Sequence, residues 1–453
     1  MNPSRREAVA TMLATALLPS VALAQDGTRA LTDAYNASGQ DLFKSFAAES
    51  GKKPGNIVFS PYSIGTAMAM VLAGARGETE REMMAALRHR RARQEISRQE
   101  IADANAKVLA TLDGYDRSRS APLCPEGTRL VGERCEMERS VDARCPPRTR
   151  SDEGVCFATP QPLPFVKVAI ANALMLTRKD APVASDYIAL VKDKFAAEFF
   201  QDAGLTEING FVAAKTEGKI ERILDQLEDS AAAVLLNAVY FKAAWASSFS
   251  MHDTHDEPFS LSASQRVSVP MMHKRAIVPL VARPGFRAVR LPYVIDKIGM
   301  VVVLPDAVDG LAAVSARLDA TELSALFAAL HAGQPKALSL ALPRFKVTYK
   351  ADLVTPFRTS GMTLAFDPAR ADFSGMTGPA ARARFAIGQV VHRAIIEVAE
   401  EGTEAAAATA AVMVLTSAPI NQGSFLVDRP FLYYVVDHAT GAILFQGRVV
   451  DPR

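Results

Sequence analysis

The sequence predicts an α+β fold, and three observations carry that prediction. Helical periodicity opens the chain over residues 33–50, whereas Val234–Phe241 and Met300–Leu304 are apolar, β-branched runs that suit central strands. Helices and strands fall in clusters, without the regular alternation that a doubly wound sheet requires. The chain has 453 residues, 49% of them hydrophobic, enough for a substantial core.

Taken in order, residues 33–50 place Leu42, Phe43, Phe46 and Ala47 on one helical face. Asn56-Ile-Val-Phe-Ser-Pro61 reads as a short strand ending in a turn. Ser63–Ala75 is apolar nearly all round, which predicts a buried helix. Thr79–Leu87 reads as a helix with Thr79 as its cap, and residues 104–112 as another. Core-like sequence resumes at Phe165, with Val166, Val168 and Ile170 alternating. Ser185–Phe200 and Glu207–Lys219 read as helices. Leu338–Tyr349 alternates around a proline, and Phe431–Val450 reads as a hairpin turning at His438-Ala-Thr-Gly441.

The N-terminus reads as an export leader. Arg5 and Arg6 precede an apolar stretch, Ala8–Leu18, and Ala22-Leu23-Ala24 is a small-residue cleavage site that would start the mature chain at Gln25. The stretch is too short and too punctuated to span a membrane. Ordinary secretion and the twin-arginine route both remain open, so the expected location is periplasmic or extracellular. Charge is nearly balanced, 51 basic against 49 acidic residues, and no global field favours nucleic acid.

Residues 113–164 change to Pro, Arg, Gly, Cys and Ser, which marks an insertion. All four cysteines lie there: Cys124, Cys135, Cys145 and Cys156. Two half-repeats are visible, Cys124-Pro-Glu-Gly-Thr-Arg to Cys135 and Cys145-Pro-Pro-Arg-Thr-Arg to Cys156. In an exported chain these predict disulfides. The simplest pairing closes each half on itself, 124–135 and 145–156, out of three that are possible. Zinc is disfavoured because the short knuckle spacing is missing.

Six segments, in order, resemble the serpin family of serine protease inhibitors. They are Asn56-Ile-Val-Phe-Ser-Pro-Tyr-Ser-Ile-Gly with Gly74-Ala-Arg-Gly-Glu-Thr79, Leu236-Asn-Ala-Val-Tyr-Phe-Lys-Ala-Ala-Trp245, Leu342-Pro-Arg-Phe345, Asp372-Phe-Ser-Gly-Met376, His392-Arg-Ala-Ile-Ile-Glu-Val-Ala-Glu-Glu-Gly-Thr403 and its alanine run, and Asp428-Arg-Pro-Phe-Leu432 with Gly447-Arg-Val449. The resemblance covers residues 33–112 and 165–452. It implies one domain, residues 25–453, with three β-sheets, about nine helices and an exposed reactive-centre loop at about 400–430.

Read alone, Glu400-Glu401-Gly402-Thr403-Glu404-Ala405-Ala406-Ala407-Ala408-Thr409 is a surface helix, because alanine is the best helix former. The resemblance implies another reason for these residues. They are the hinge of a loop that enters a paired sheet after cleavage, with Thr403, Ala405, Ala407 and Thr409 on one face. Small side chains can slide into a closing core, and no proline occurs between Gly402 and Ala418 to remove a ladder donor. Family spacing implies a scissile bond fourteen residues after Gly402, at Thr416–Ser417, with Leu415–Thr416 as the alternative. The absence of Lys and Arg from Gly402 to Asp428 excludes a trypsin-like target. It leaves elastase-, chymotrypsin- or subtilisin-like proteases, serine or by extension cysteine enzymes.

The resemblance further implies that Ser60, Ser63, Asn237 and His392 form a polar cluster, the shutter, under the opening sheet. It places Trp245 at the top of that sheet, in the region called the breach, where Ala243 replaces the usual glycine. The alternative function is a non-inhibitory carrier or binding module acting through the insertion. His252-Asp-Thr-His255-Asp-Glu257 reads as a solvated loop, so no metal or other cofactor is expected. Arg88, Arg90, Arg91 and Arg93 are a solvated charged run or, alternatively, a polyanion site. Neither a His-Glu-x-x-His nor a phosphate-loop motif occurs, so the chain is expected to be an inhibitor, not an enzyme, and a monomer.

Overall fold

A computed structural model describes residues 20–49, 54–91, 94–116, 129–131, 134–136, 150–152, 155–158, 166–177, 182–227, 232–377, 386–403 and 423–453. The chain begins with helix α1 (Ser20–Glu49), strand β1 (Ile57–Phe59), α2 (Pro61–Gly74), α3 (Gly77–Ala86), a two-residue hairpin of β2 (Arg90–Arg91) and β3 (Gln94–Glu95), and α4 (Arg98–Asp113). The insertion supplies β4 (Arg129–Val131), β5 (Arg134–Glu136), β6 (Arg150–Asp152) and β7 (Val155–Ala158). Then follow β8 (Val166–Leu176), α5 (Ser185–Phe195), β9 (Glu198–Gln201), α6 (Leu205–Lys215) and β10 (Ala233–Ala244). After them come β11 (Thr254–Ser260), β12 (Arg266–Arg283), β13 (Phe286–Pro292), β14 (Ile298–Pro305), α7 (Leu311–Arg317) and α8 (Ala320–Ala332). The chain closes with β15 (Pro335–Pro343), β16 (Phe345–Asp352), α9 (Val354–Thr359), α10 (Ser374–Thr377), β17 (Ile387–Val398), β18 (Gly402–Thr403), β19 (Ser424–Leu426), β20 (Phe431–Asp437) and β21 (Ile443–Val449).

Two large sheets build the molecule. One runs β16-β17-β18-β10-β8-β9; the other runs β1-β21-β20-β14-β13-β12-β15-β19, with β11 on the side of β12. The second is two sheets joined by the 18-residue β12, which pairs β11 and β15 before it pairs β13. Helix α2 explains its own composition: it touches β8 and β10 of one sheet and β21 of the other, so all of its faces are buried. Ser60 caps it by accepting a hydrogen bond from the Ser63 N–H, and Pro61 takes the first position, where no donor is needed.

Four sequence expectations are corrected. Thr79 lies inside α3, not at its cap; it is buried, and its hydroxyl accepts from the Asp372 N–H. The helix expected to reach Phe200 stops at Phe195, where Ala196 turns left-handed at φ 48° and releases the chain into β9. Helix α6 stops at Lys215, before Glu217 and Gly218 adopt positive φ. The alternating run Leu338–Tyr349 is two strands in different sheets, because the chain changes layer at Arg344 between β15 and β16. Strand alternation is the same on either side of that switch and cannot reveal it. The α+β class, the buried α2 and the hairpin at residues 438–441 stand as expected.

Candidate functional site

The site is a seam in the six-stranded sheet. Strands β10 and β17 lie side by side and parallel, from Ala233↔Ile387 to Tyr240↔Ile395. Their outer neighbours β8 and β16 pair with them antiparallel. Above Tyr240 the two strands part, and the chain turns back on itself: the Ala399 N–H donates to the Gly402 carbonyl at 2.9 Å. Gly402 and Thr403 then enter the gap as β18, antiparallel to both walls, at Ala243↔Thr403, Ala244↔Gly402 and Val398↔Thr403. Only glycine fits the entry. A Cβ on Gly402 would stand 2.1 Å from the Ala243 carbonyl oxygen and 2.7 Å from the Ala244 Cα.

The middle of the seam is crossed by one row of polar side chains. Asn172, Asn237 and His392 are register partners on β8, β10 and β17. Asn237 donates through Nδ2 to the Ser63 hydroxyl at 2.6 Å and to the Asn172 side-chain oxygen at 2.5 Å. Its Oδ1 lies 2.5 Å from His392 Nδ1, and a carbonyl oxygen can only accept, so Nδ1 carries the proton. His392 is wholly buried, and burial pushes its pKa down to about 3, so the network is neutral. The sequence-expected Ser60, Ser63, Asn237 and His392 are thus brought together, with Ser60 acting through the α2 cap. Asn172 was missed. Its signal was present: it is the sole amide in the otherwise apolar second half of Val166–Leu176.

The top of the seam is built differently. Trp245 is buried, stacks on Tyr293 at 4.5 Å with planes 7° apart, and donates from Nε1 to the Ala399 carbonyl at 3.0 Å. The Tyr293 hydroxyl meets the Thr403 hydroxyl at 2.6 Å. Glu400 is buried at the tip of the turn, where its carboxylate accepts from Arg344 and from the Thr254 hydroxyl at 2.8 Å. Burial works against its charge, but the bonds from Arg344 and Thr254 outweigh it and hold the carboxyl below its ordinary range. Lys274 lies 4.2 Å above the Phe249 ring and 6.0 Å from that of Trp245, and burial lowers its pKa to about 8. Tyr293 and Lys274 carry no local pattern that could have announced them, and although Arg344 and Thr254 lie in runs singled out above, nothing local gave them this role; the four converge only through pairing of distant strands. Ala243, where a glycine was expected, is buried and offers the carbonyl against which Gly402 packs.

Beyond Thr403 the hinge residues Glu404, Ala405, Ala406, Ala407, Ala408 and Thr409, and the bond residues Leu415, Thr416 and Ser417, lie outside the described residues. So do residues 1–19 of the expected leader, and α1 begins at Ser20. Within the insertion, each sequence half-repeat forms a hairpin, β4 with β5 and β6 with β7, joined into one sheet in the order β4-β5-β7-β6. Cys135 and Cys156 are buried at equivalent places in the two hairpins, and neither is a free thiol. Cys124 and Cys145 lie outside the described residues. In the basic run, Arg88 donates through Nε and Nη2 to Asp41 at 2.9 and 2.6 Å, and Arg90 and Arg91 form β2. Arg93 lies outside the described residues. The stretch around His252 and His255 is not a loop: Met251–Asp253 is a single 3-10 turn and His255 begins the exposed part of strand β11.

The serpin profile, described as serine protease inhibitor, matches residues 33–130 and 154–452. The chain belongs to the serpin family. A serpin-like protein of Thermococcus kodakarensis is 30% identical over 433 residues, covering 93% of this chain and 86% of that one. A serine protease inhibitor of the jellyfish Cyanea capillata is 29% identical, covering 91% and 96%. Human thyroxine-binding globulin, solved in complex with thyroxine, shares this serpin's fold with a TM-score of 0.73 at 23% identity, covering 94% and 99%. Residues 131–153, from the end of β4 through β6, lie outside the matched segments, whereas β7 lies inside them.

Proposed function

We propose that this serpin is a suicide-substrate inhibitor whose reactive loop, once cut, inserts between β10 and β17. Strand β18 carries the reading: its two residues already pair antiparallel with both walls at the mouth of the seam. Extending β18 downward would replace one parallel ladder of eight register pairs by two antiparallel ladders. Parallel pairing is slightly weaker per residue, so the exchange gains both hydrogen bonds and pairing quality. Thr403, Ala405, Ala407 and Thr409 would face the core, and each is small enough to pass the shutter.

A serine protease would attack the loop at Thr416–Ser417 and become acyl-linked to it. Fourteen residues of inserted strand, at about 3.3 Å each, would carry the bound enzyme roughly 45 Å and distort its active site before deacylation. The native form is then a kinetic trap, released by cleavage. Target enzymes are elastase-, chymotrypsin- or subtilisin-like, supported by Met413-Val-Leu-Thr416 and by the loop's lack of basic residues. Export and the pairings 124–135 and 145–156 belong to the same reading, supported by the leader pattern and the hairpin built from each half-repeat. The engagement of Arg88 with Asp41 weighs against a polyanion site there.

The test is incubation with pancreatic elastase and subtilisin, read by SDS gel and by mass spectrometry of the released fragment. A covalent complex and a fragment beginning at Ser417 are expected. Cleavage with no complex and no rise in thermal stability would leave the second reading, a binding module. The four-stranded sheet of the insertion, whose residues 131–153 lie outside the family match, supports that reading.

A further inference from the structure

We propose that His255, Glu257 and His273 form a binding site for a divalent transition metal of the zinc class. The site stands apart from loop cleavage, and metal uptake reads it whether or not the chain inhibits a protease. Strand periodicity puts His255 and Glu257 on one face of β11. Met271 of β12 faces His255 in register, so His273, two residues further on, lies one diagonal step away on that face. The three ligand atoms all lie within 4.8 Å of one another. Glu257 Oε1 is 2.9 Å from His255 Nε2 and 3.1 Å from His273 Nε2. The imidazole planes are stacked, 4.7 Å apart and 8° from parallel, so both present their Nε2 edges to the same carboxylate.

Two features distinguish this cluster from a histidine pair sharing a carboxylate. The Nε2 of His273 is buried and has no aligned hydrogen-bond partner, despite its closeness to Glu257. A buried nitrogen whose nearby carboxylate is poorly aligned is only partly satisfied, and a ligand at that position would complete it. Second, the two carboxylate–imidazole distances are close to those of a coordination shell, although the stacked rings would have to rotate about their Cβ–Cγ bonds to point both in-plane lone pairs at one ion. With metal–ligand bonds of about 2.0–2.2 Å in a tetrahedron, neighbouring donors stand about 3.3 Å apart, a few tenths of an ångström more than observed here. Two neutral imidazoles and one carboxylate suit zinc and its neighbours better than calcium or magnesium, which prefer all-oxygen shells. The outer side chain, His255, is 60% exposed, which leaves the fourth position to water.

The cluster also sits beside the hinge. Thr254, next to His255, donates to Glu400, and Lys274, next to His273, covers Phe249. A bound ion would therefore fasten β11 to β12 where both strands hold the top of the seam. His252, the apparent partner of His255 in sequence, lies on the 3-10 turn and is outside the cluster.

The experiment titrates the metal-free, untagged full chain with Co2+, read by visible d–d absorbance, and with Zn2+ in competition with a chromophoric chelator. One equivalent should bind. Removal of a group that merely orients a ligand lowers metal affinity about 10–100-fold, so His255→Ala, His273→Ala and Glu257→Gln should each cost at least about tenfold. His252→Ala should change nothing. Absence of an equivalent of metal in the wild-type chain would overturn the site, as would binding that survives the loss of His255. That exposed position decides the matter even if His273→Ala fails to fold.

Discussion

The middle and the top of the seam close the same two strands by opposite means. In the middle, Ser63, Asn172, Asn237 and His392 are neutral, buried and joined by short hydrogen bonds across three strands and a helix. At the top, a charged pair of Glu400 and Arg344, an aromatic stack and a glycine-sized gap hold a turn in place. A neutral network can break and re-form around a new strand without stranding a charge in the core. A charged clamp fixes the start point. On the insertion proposed above, the middle would be the part that opens and the top the part that holds Gly402 and Thr403 in register.

The largest effect should come from the top. Thr403→Arg would place a charge at a fully buried position against Tyr293, at a cost of several kcal/mol. It should abolish the covalent complex while leaving the loop cleavable, which an elastase digest followed by SDS gel would show. A complex formed at the wild-type yield would break the link between hinge burial and insertion. Because Trp245 is the sole tryptophan, its emission reports on this region alone and should shift with the variant.

In the middle, Asn237→Ala would leave Ser63, Asn172 and His392 without their shared partner. A loss of about 3 kcal/mol is expected from stranded buried groups. Urea unfolding checks it, with the melting temperature as a second measure. A change under about 0.5 kcal/mol would show that the network contributes geometry only.

Acid should separate the two regions. His392 has its pKa held near 3, against 6.5 for an ordinary histidine, so the unfolded chain takes up the proton first. Its contribution to stability is complete above pH 6.5 and is lost progressively as pH falls from there towards 3, with about 2 kcal/mol gone by pH 5. Glu400 is held below its ordinary value of 4.5, so its contribution persists at pH 5 and is lost only as pH falls through the lowered value. Between pH 7.5 and 5, His392→Gln should therefore flatten the fall in melting temperature relative to wild type, and Glu400→Gln should not. The smallest effect is that of Glu400→Gln itself at pH 7, about 1 kcal/mol, because the amide keeps one hydrogen bond and loses its charge assistance. A double-mutant cycle with Arg344→Ala isolates it; a coupling near zero would reduce the clamp to a surface pair.

Parts of both regions were legible in the chain. Ser60, Ser63, Asn237, His392 and Trp245 fall in three of the motifs, and the half-repeats ending at Cys135 and Cys156 each coincide with a hairpin that was not predicted from them. Thr79 misled, because a threonine before an apolar run looks like a cap whether or not its backbone is already helical. Asn172 was visible as a polar break but had no stated partner. Arg344 could not be read as the switch between sheets, and His273 could not be read as a neighbour of His255 and Glu257, because each relation depends on strand register.

The sequence by itself determined the α+β class, the buried α2, the run of small residues after Gly402 and the lack of Lys and Arg from Gly402 to Asp428, since these rest on composition and periodicity within a few residues. The tertiary structure alone decided that Gly402 must be glycine, that Thr403 meets Tyr293, and that β10 and β17 run parallel with the hinge between their upper ends. Those facts depend on which distant strands pair and at what register, and a one-residue slip would turn every side chain of the seam to the other face.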